Sequence, residues 1–160
     1  MTMDYEKTGI LQKKDLVMPS DMQLKKGVVI SECIQDIPCN PCVDSCPVSA
    51  ISMKDINSIP IIDYDACIGC GKCIGVCPGL ALFLIKVTDD SGLVTIPFEF
   101  LPLPDKGQQV EVCNREGRVI GTGIVNKVRK SGKTSIITVE VDKDHVMDVR
   151  NIRIGGNQDE

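Results

Sequence analysis

Cys67-Ile68-Gly69-Cys70-Gly71-Lys72-Cys73-Ile74-Gly75-Val76-Cys77-Pro78 spaces four thiols as C-x2-C-x2-C-x3-C and closes on a proline. Three thiolates two residues apart can wrap one face of a [4Fe–4S] cube from within a single tight loop. The fourth lies too far along the chain for that loop, and in two-cube proteins it ligates the other cube. The run therefore implies a second set of thiols elsewhere, and one-electron transfer as the chemistry.

The second set lies upstream. Cys33-Ile34-Gln35-Asp36-Ile37-Pro38-Cys39-Asn40-Pro41-Cys42-Val43-Asp44-Ser45-Cys46-Pro47 has the same spacing with three residues inserted after the first cysteine. Aligning the two Cys-Pro pairs sets the runs 31 residues apart. The likeness continues past the prolines, where Val48-Ser49-Ala50-Ile51 parallels Gly79-Leu80-Ala81-Leu82. The segment is an internal repeat with a pseudo-twofold relationship. Crossed ligation then assigns Cys33, Cys39, Cys42 and Cys77 to one cube, and Cys67, Cys70, Cys73 and Cys46 to the other. Gly69, Gly71 and Gly75 leave backbone N–H groups free to approach cluster sulfurs, whereas the first run has Asn40 and Pro41. The two sites need not share a potential.

Zinc and disulfides are the competing readings. Structural zinc uses C-x2-C pairs separated by a long gap, and it needs no proline after a fourth cysteine. Disulfides need an oxidising compartment. The start Met1-Thr2-Met3-Asp4-Tyr5-Glu6-Lys7 has no basic segment followed by an apolar one, so a cytoplasmic location is expected. No apolar run approaches the ~20 residues of a membrane span.

Charge and composition narrow the partners. Residues 1–90 carry 8 Lys/Arg against 12 Asp/Glu, and residues 91–160 carry 10 against 10. An acidic thiol-rich half is poorly suited to a phosphate backbone and better suited to a basic patch on a redox partner. Aromatic residues are only 3% of the chain, with no tryptophan, which bulky clusters in the interior make tolerable.

The expected fold is α+β, a two-cluster module followed by a small antiparallel β-barrel-like domain. Residues 1–26 read as an N-terminal extension, in which Ser20 and Gln23 form a capping box and Gly27 ends the helix. Residues 27–90 read as the cluster module, with strands entering each cysteine run at 28–30 and 59–62 and leaving it at 50–53 and 81–85. A short helix follows each third cysteine. Residues 91–155 alternate β-branched and polar positions in five strands, near 93–96, 109–113, 118–128, 135–141 and 149–154. Gly121 and Gly123 sit in the longest, where a barrel strand would bend. Residues 156–160 form a tail.

The cluster module resembles the bacterial two-[4Fe–4S] ferredoxins through Cys67 to Pro78 and Cys39 to Pro47. Glu32 to Cys42, Cys73 to Ala81 and the Phe98-Glu99-Phe100-Leu101-Pro102-Leu103-Pro104 stretch are similar to a narrower group. These are the ferredoxin-like small subunits of FAD-dependent proline, hydroxyproline and sarcosine oxidase-type complexes. That resemblance implies a hetero-oligomer in which a flavoprotein subunit oxidises an amine or amino acid. The present chain would relay the electrons singly through two clusters. It carries no Gly-x-Gly-x-x-Gly fingerprint, so FAD would lie on the partner. The alternative is a freestanding ferredoxin with a β-rich appendage.

Single residues are read conservatively. Cys113 is left over as a small buried hydrophobe. His145 is read as an exposed turn residue, since Rieske-type ligation needs two histidines. Lys72 places positive charge inside the second loop. Methionines of the lead (Met1, Met3, Met18, Met22) and the Phe98 to Pro104 strip are expected to dock a partner. No catalytic residue is expected in the chain.

Overall fold

A computed structural model describes residues 4–155. Met1, Met3 and the tail 156–160 lie outside the described residues. Helix α1 (Asp4–Thr8), a 3-10 turn (Lys13–Asp15) and α2 (Asp21–Lys26) form the lead. The module contains β1 (Val28–Ser31), α3 (Pro41–Ser45), β2 (Ile51–Ser52), β3 (Ile61–Ile62) and α4 (Lys72–Val76). Then come β4 (Leu82–Val87), β5 (Gly92–Phe98), β6 (Gln109–Cys113), β7 (Val119–Ser131), β8 (Thr134–Val141) and β9 (Asn151–Arg153). The strands fall close to their expected positions, because β-branched runs between Gly, Pro and Asn turns leave few other solutions.

Their assembly differs from the expectation. Seven strands form one antiparallel sheet in the order β1-β4-β5-β8-β7-β6-β9, and β2-β3 form a separate ribbon. No closed barrel is present among the described residues. The reason lies at the border near residue 90. Strand β4 leaves the second cysteine run and turns through Thr88–Ser91 directly into β5, so the C-terminal strands grow from the module's own edge. The terminal strands β1 and β9 pair only with β4 and β6.

The long strand β7 changes partners along its length. Val119–Ile124 faces β6, whereas Ile124–Ser131 faces β8, with a register shift between Val125 and Lys127. A Cβ on Gly123 would come within 2.6 Å of Val139 Cγ1 and 2.7 Å of the Glu140 carbonyl oxygen. The glycine thus permits the close approach at which the strand passes from one neighbour to the other.

One core runs through both halves. Val28, Ile30, Ile74 and Ile85 of the module are buried together with Val94, Ile96, Ile137 and Val139 of the later strands. Strand β1 is apolar at three successive positions, all buried, because one edge of it pairs with β4 while both faces are covered. Burial of such side chains contributes about 1.5–3 kcal/mol each.

The lead is fastened to the module. Ser20 Oγ accepts from the Gln23 N–H at 3.3 Å, and Gln23 Oε1 accepts from the Ser20 N–H at 2.9 Å. Gly27 ends α2 with φ of 94°. The Tyr64 hydroxyl donates to the Val17 carbonyl at 2.7 Å, Lys26 donates to the Tyr64 and Asp65 carbonyls, and Leu16 and Leu24 pack on the core. Val17, Met18 and Met22 nonetheless keep their side chains exposed.

Candidate metal centre

The sequence repeat is also a repeat of backbone shape. Helices α3 and α4 are each five residues long, with Cys42 and Cys73 at their second positions and Cys46 and Cys77 at their C-caps. Three residues on, Ser49 and Leu80 both adopt φ of 53°, a left-handed conformation uncommon for residues with a side chain. That turn aims the next N–H back at sulfur. Ala50 N donates to Cys46 Sγ at 3.2 Å, and Ala81 N donates to Cys77 Sγ at 3.5 Å.

Strand pairing then crosses the two halves. Strand β1 leads into Cys33 and pairs with β4, which leaves Cys77. Ser31 stands opposite Leu82, and Glu32 N donates to the Ala81 carbonyl at 2.8 Å. In the ribbon Ile51 stands opposite Ile62, and Asp63 N donates to the Ala50 carbonyl at 2.8 Å, which carries Cys46 toward Cys67.

Two cavities result. The first, about 350 Å³, is lined by Cys33, Cys39, Cys42 and Cys77, with Ile34 and Ile37 from the inserted segment. The second is much tighter, about 20 Å³, and is lined by Cys46, Cys67, Cys70 and Cys73. Each combines three cysteines of one run with the fourth of the other. The donor set is thiol throughout, which suits iron–sulfur chemistry. Among the described residues no three His, Cys, Asp or Glu side chains converge on a point that could hold a single ion. Thiolates on the corners of a cube stand farther apart than the four donors of a zinc at ~2.3 Å bond length.

The thiols are not equivalent. Burial, reinforced by Cys67 and Cys70, pushes the Cys73 pKa up to about 12. Burial also raises Cys42, against the opposing N–H of Val43. At Cys46 burial acts upward, but the N–H groups of Val48, Ala50, Ile51 and Ser49 together outweigh it and bring the pKa below the ordinary thiol value. A ligating thiol must lose its proton. Local N–H groups thus favour the thiolate at Cys46, whereas burial disfavours it at Cys73.

Backbone conformation supports the second loop. Gly69 and Gly71 adopt φ of 66° and 70°, and a Cβ on Gly69 would fall 2.8 Å from the Gly27 carbonyl oxygen. Gly75 lets Ser131, at the β7–β8 hairpin, lie directly against α4. From the same hairpin Arg129 Nη2 donates to the Gly71 carbonyl at 3.2 Å.

The remaining sequence candidates lie elsewhere. Cys113 is buried on β6 and lines neither thiol cavity. His145 ends a 3-10 turn (Lys143–His145) and is half-buried there rather than exposed, because the turn folds back against Gly121 of β7. Lys72 is exposed at the start of α4.

Sequence reasoning missed the charged group behind the first cavity. Glu32 Oε1 accepts from Arg115 Nε at 3.0 Å, Arg115 Nη2 at 2.6 Å and Arg150 Nε at 2.7 Å. These side chains are 9%, 10% and 5% exposed for Glu32, Arg115 and Arg150. Separations of 83 and 118 residues leave no local signal for such a group beyond the adjacency of Glu32 to Cys33.

Comparison with known proteins agrees with the cysteine pattern. Two family models, each described as a 4Fe-4S dicluster domain, match residues 32–81 and 59–133. An uncharacterized ferredoxin of Methanocaldococcus jannaschii is 50% identical over 44 residues, 28% of each chain. The polyferredoxin-like subunit of an aliphatic sulfonate oxidoreductase of Pyrococcus furiosus is 27% identical over 79 residues, 46% of each chain. A tetrathionate reductase subunit of Salmonella typhimurium is 32% identical over 81 residues, 51% of this chain and 32% of that protein. The likeness thus spans less than half the length of each of these relatives. No solved structure matches. Among the described residues no helix is long and apolar enough to cross a membrane.

Proposed function

We propose that this chain, an iron–sulfur protein with a 4Fe-4S dicluster ferredoxin module, is the electron-transfer subunit of a multi-subunit oxidoreductase. The observation that carries the reading is the pair of four-thiol cavities built side by side by crossed strands. Cys33, Cys39, Cys42 and Cys77 would hold one [4Fe–4S] cluster, and Cys67, Cys70, Cys73 and Cys46 the other. Bound clusters supply one-electron storage at each site. The protein's own part is to fix the thiols, direct N–H groups of Ala50 and Ala81 at two sulfurs, and hold both sites against one hydrophobic core.

The roles of relatives, reductase and dehydrogenase subunits among them, favour assembly with a larger enzyme. The finer proposal retains the resemblance to small subunits of flavin-dependent amine and amino-acid dehydrogenases. FAD on a partner subunit would be the electron source, and the complex a hetero-oligomer in the cytoplasm. Exposed apolar surface supports a partner. Phe100 is 64% exposed and Leu101 85% exposed. Phe98, Phe100, Leu101 and Pro102 border a groove with Asn151–Ile154 of the β9 edge.

Anaerobically assembled protein should contain eight iron and eight acid-labile sulfide per chain, the content of two four-iron cubes. A Cys113→Ser chain should match it. Zinc without sulfide, or iron near four, would sink the two-cube reading. The partner reading is checked separately by isolating the native protein. A flavoprotein should accompany it in fixed ratio, and Phe100→Asp with Leu101→Asp should lower that recovery by about tenfold or more, as loss of buried apolar anchors does. The iron spectrum should be unchanged. Isolation of the chain alone, with full iron, would favour the freestanding carrier.

A further inference from the structure

We infer that the buried Glu32–Arg115–Arg150 group sets the reduction potential of the first cluster site. The inference rests on the two-cluster reading above and extends it. All five arginines of the chain follow residue 90. Two of them, Arg115 and Arg150, reach back to the residue beside Cys33.

The group carries two positive charges against one negative charge. All three side chains are nine-tenths or more buried, so solvent screens the excess poorly. Local bonding does not absorb the charge either. Arg150 Nη1 donates to the Val146 and Val149 carbonyls and its guanidinium lies 4.9 Å over the Phe83 ring, but its buried Nη2 has no hydrogen-bond partner among the described residues. Burial and Arg115 lower the Arg150 pKa, while Glu32 and Asp148 oppose that shift, and Asp148 is itself paired with Lys13. Removing one member of a buried ionic group leaves an uncompensated charge, and the excess here would be balanced by an opposite charge nearby.

That charge lies next door. Arg115 and Arg150 border a second hollow, of about 250 Å³, whose wall includes Glu32, Gly79 and Ala81. The same three residues line the cavity of Cys33, Cys39, Cys42 and Cys77. Four thiolates there make the site anionic, and each electron accepted adds a negative charge. A fixed positive excess behind the shared wall favours the reduced state and raises the potential, net charge being one of its known determinants. The Cys46, Cys67, Cys70 and Cys73 cavity shares none of these lining residues.

The decisive property is sign. Glu32→Gln removes the negative charge and should shift the first site's reduction equilibrium toward the reduced form. Arg115→Gln should shift it the other way. Each change should be roughly tenfold for one charge in a poorly screened wall, or 59 mV for a one-electron couple. Potentiometric titration followed by electron paramagnetic resonance reads both sites, and the signal missing from a Cys33→Ser chain identifies the first. Arg150→Lys keeps the charge and should leave the potential near that of the parent chain. Iron and sulfide content, measured on each variant, tests the two-cluster reading itself. If Glu32→Gln loses its iron, Arg115→Gln decides, since Arg115 lies in the β6–β7 turn. Loss of iron from that variant too would make the group merely structural and overturn the inference. So would shifts of the same sign in both variants, equal shifts of both sites, or no shift with full iron.

Discussion

A Cys77→Ser chain is expected to lose the cluster of the first cavity and keep that of the second, although Cys77 belongs to the second cysteine run. Iron should fall from eight to about four per chain, the content of one remaining cube. Cys46→Ser should do the reverse. The expectation follows from β1 pairing with β4, which places Cys77 against Cys33, Cys39 and Cys42. Cys33→Ser should therefore give the same residual spectrum as Cys77→Ser. If Cys77→Ser instead resembled Cys70→Ser, each run would ligate its own cluster and the crossed assignment would be wrong. Electron paramagnetic resonance of the reduced variants checks this directly, because spin coupling between two reduced clusters disappears when either is lost.

The second large effect is expected at Ile74. It follows Cys73 on α4 and is wholly buried, packed with the core that joins the module to the later strands. Ile74→Ala removes three carbons from a site whose neighbours are held by strand pairing and cannot collapse freely. Such truncations cost about 2–5 kcal/mol. The Cys67–Cys73 loop should loosen with the helix, so the second cluster should be lost earlier than the first as denaturant rises. Denaturation followed by visible absorbance and by far-ultraviolet circular dichroism would show it. Coincident loss of both clusters at the parent midpoint would refute the coupling.

Partner docking places milder demands on the fold. Val17, Met18 and Met22 remain exposed, yet Leu16 and Leu24 pack on the core and Tyr64 holds the Val17 carbonyl. The lead is anchored on one side and open on the other. Removing residues 1–20 whole would disturb the α2 cap as well as the apolar face, so point changes such as Met22→Asp separate the two roles.

Local signals in the sequence were sufficient for local structure. Thiols two residues apart, followed three on by Cys-Pro, can close only a tight loop, and the 31-residue repeat reappears in the matched φ of Ser49 and Leu80. Ser20, Gln23 and Gly27 specify both ends of α2 because capping is decided within a single turn. The later strands were legible from β-branched alternation. Nothing in that alternation says which strand meets which. Closure into a barrel and extension of an existing sheet bury the same residues, and the choice fell to the short Thr88–Ser91 turn that lays β5 on β4. Tertiary structure alone also brought Arg115 and Arg150 to Glu32 across 83 and 118 residues, because a buried charge is matched through space and leaves no period or spacing along the chain.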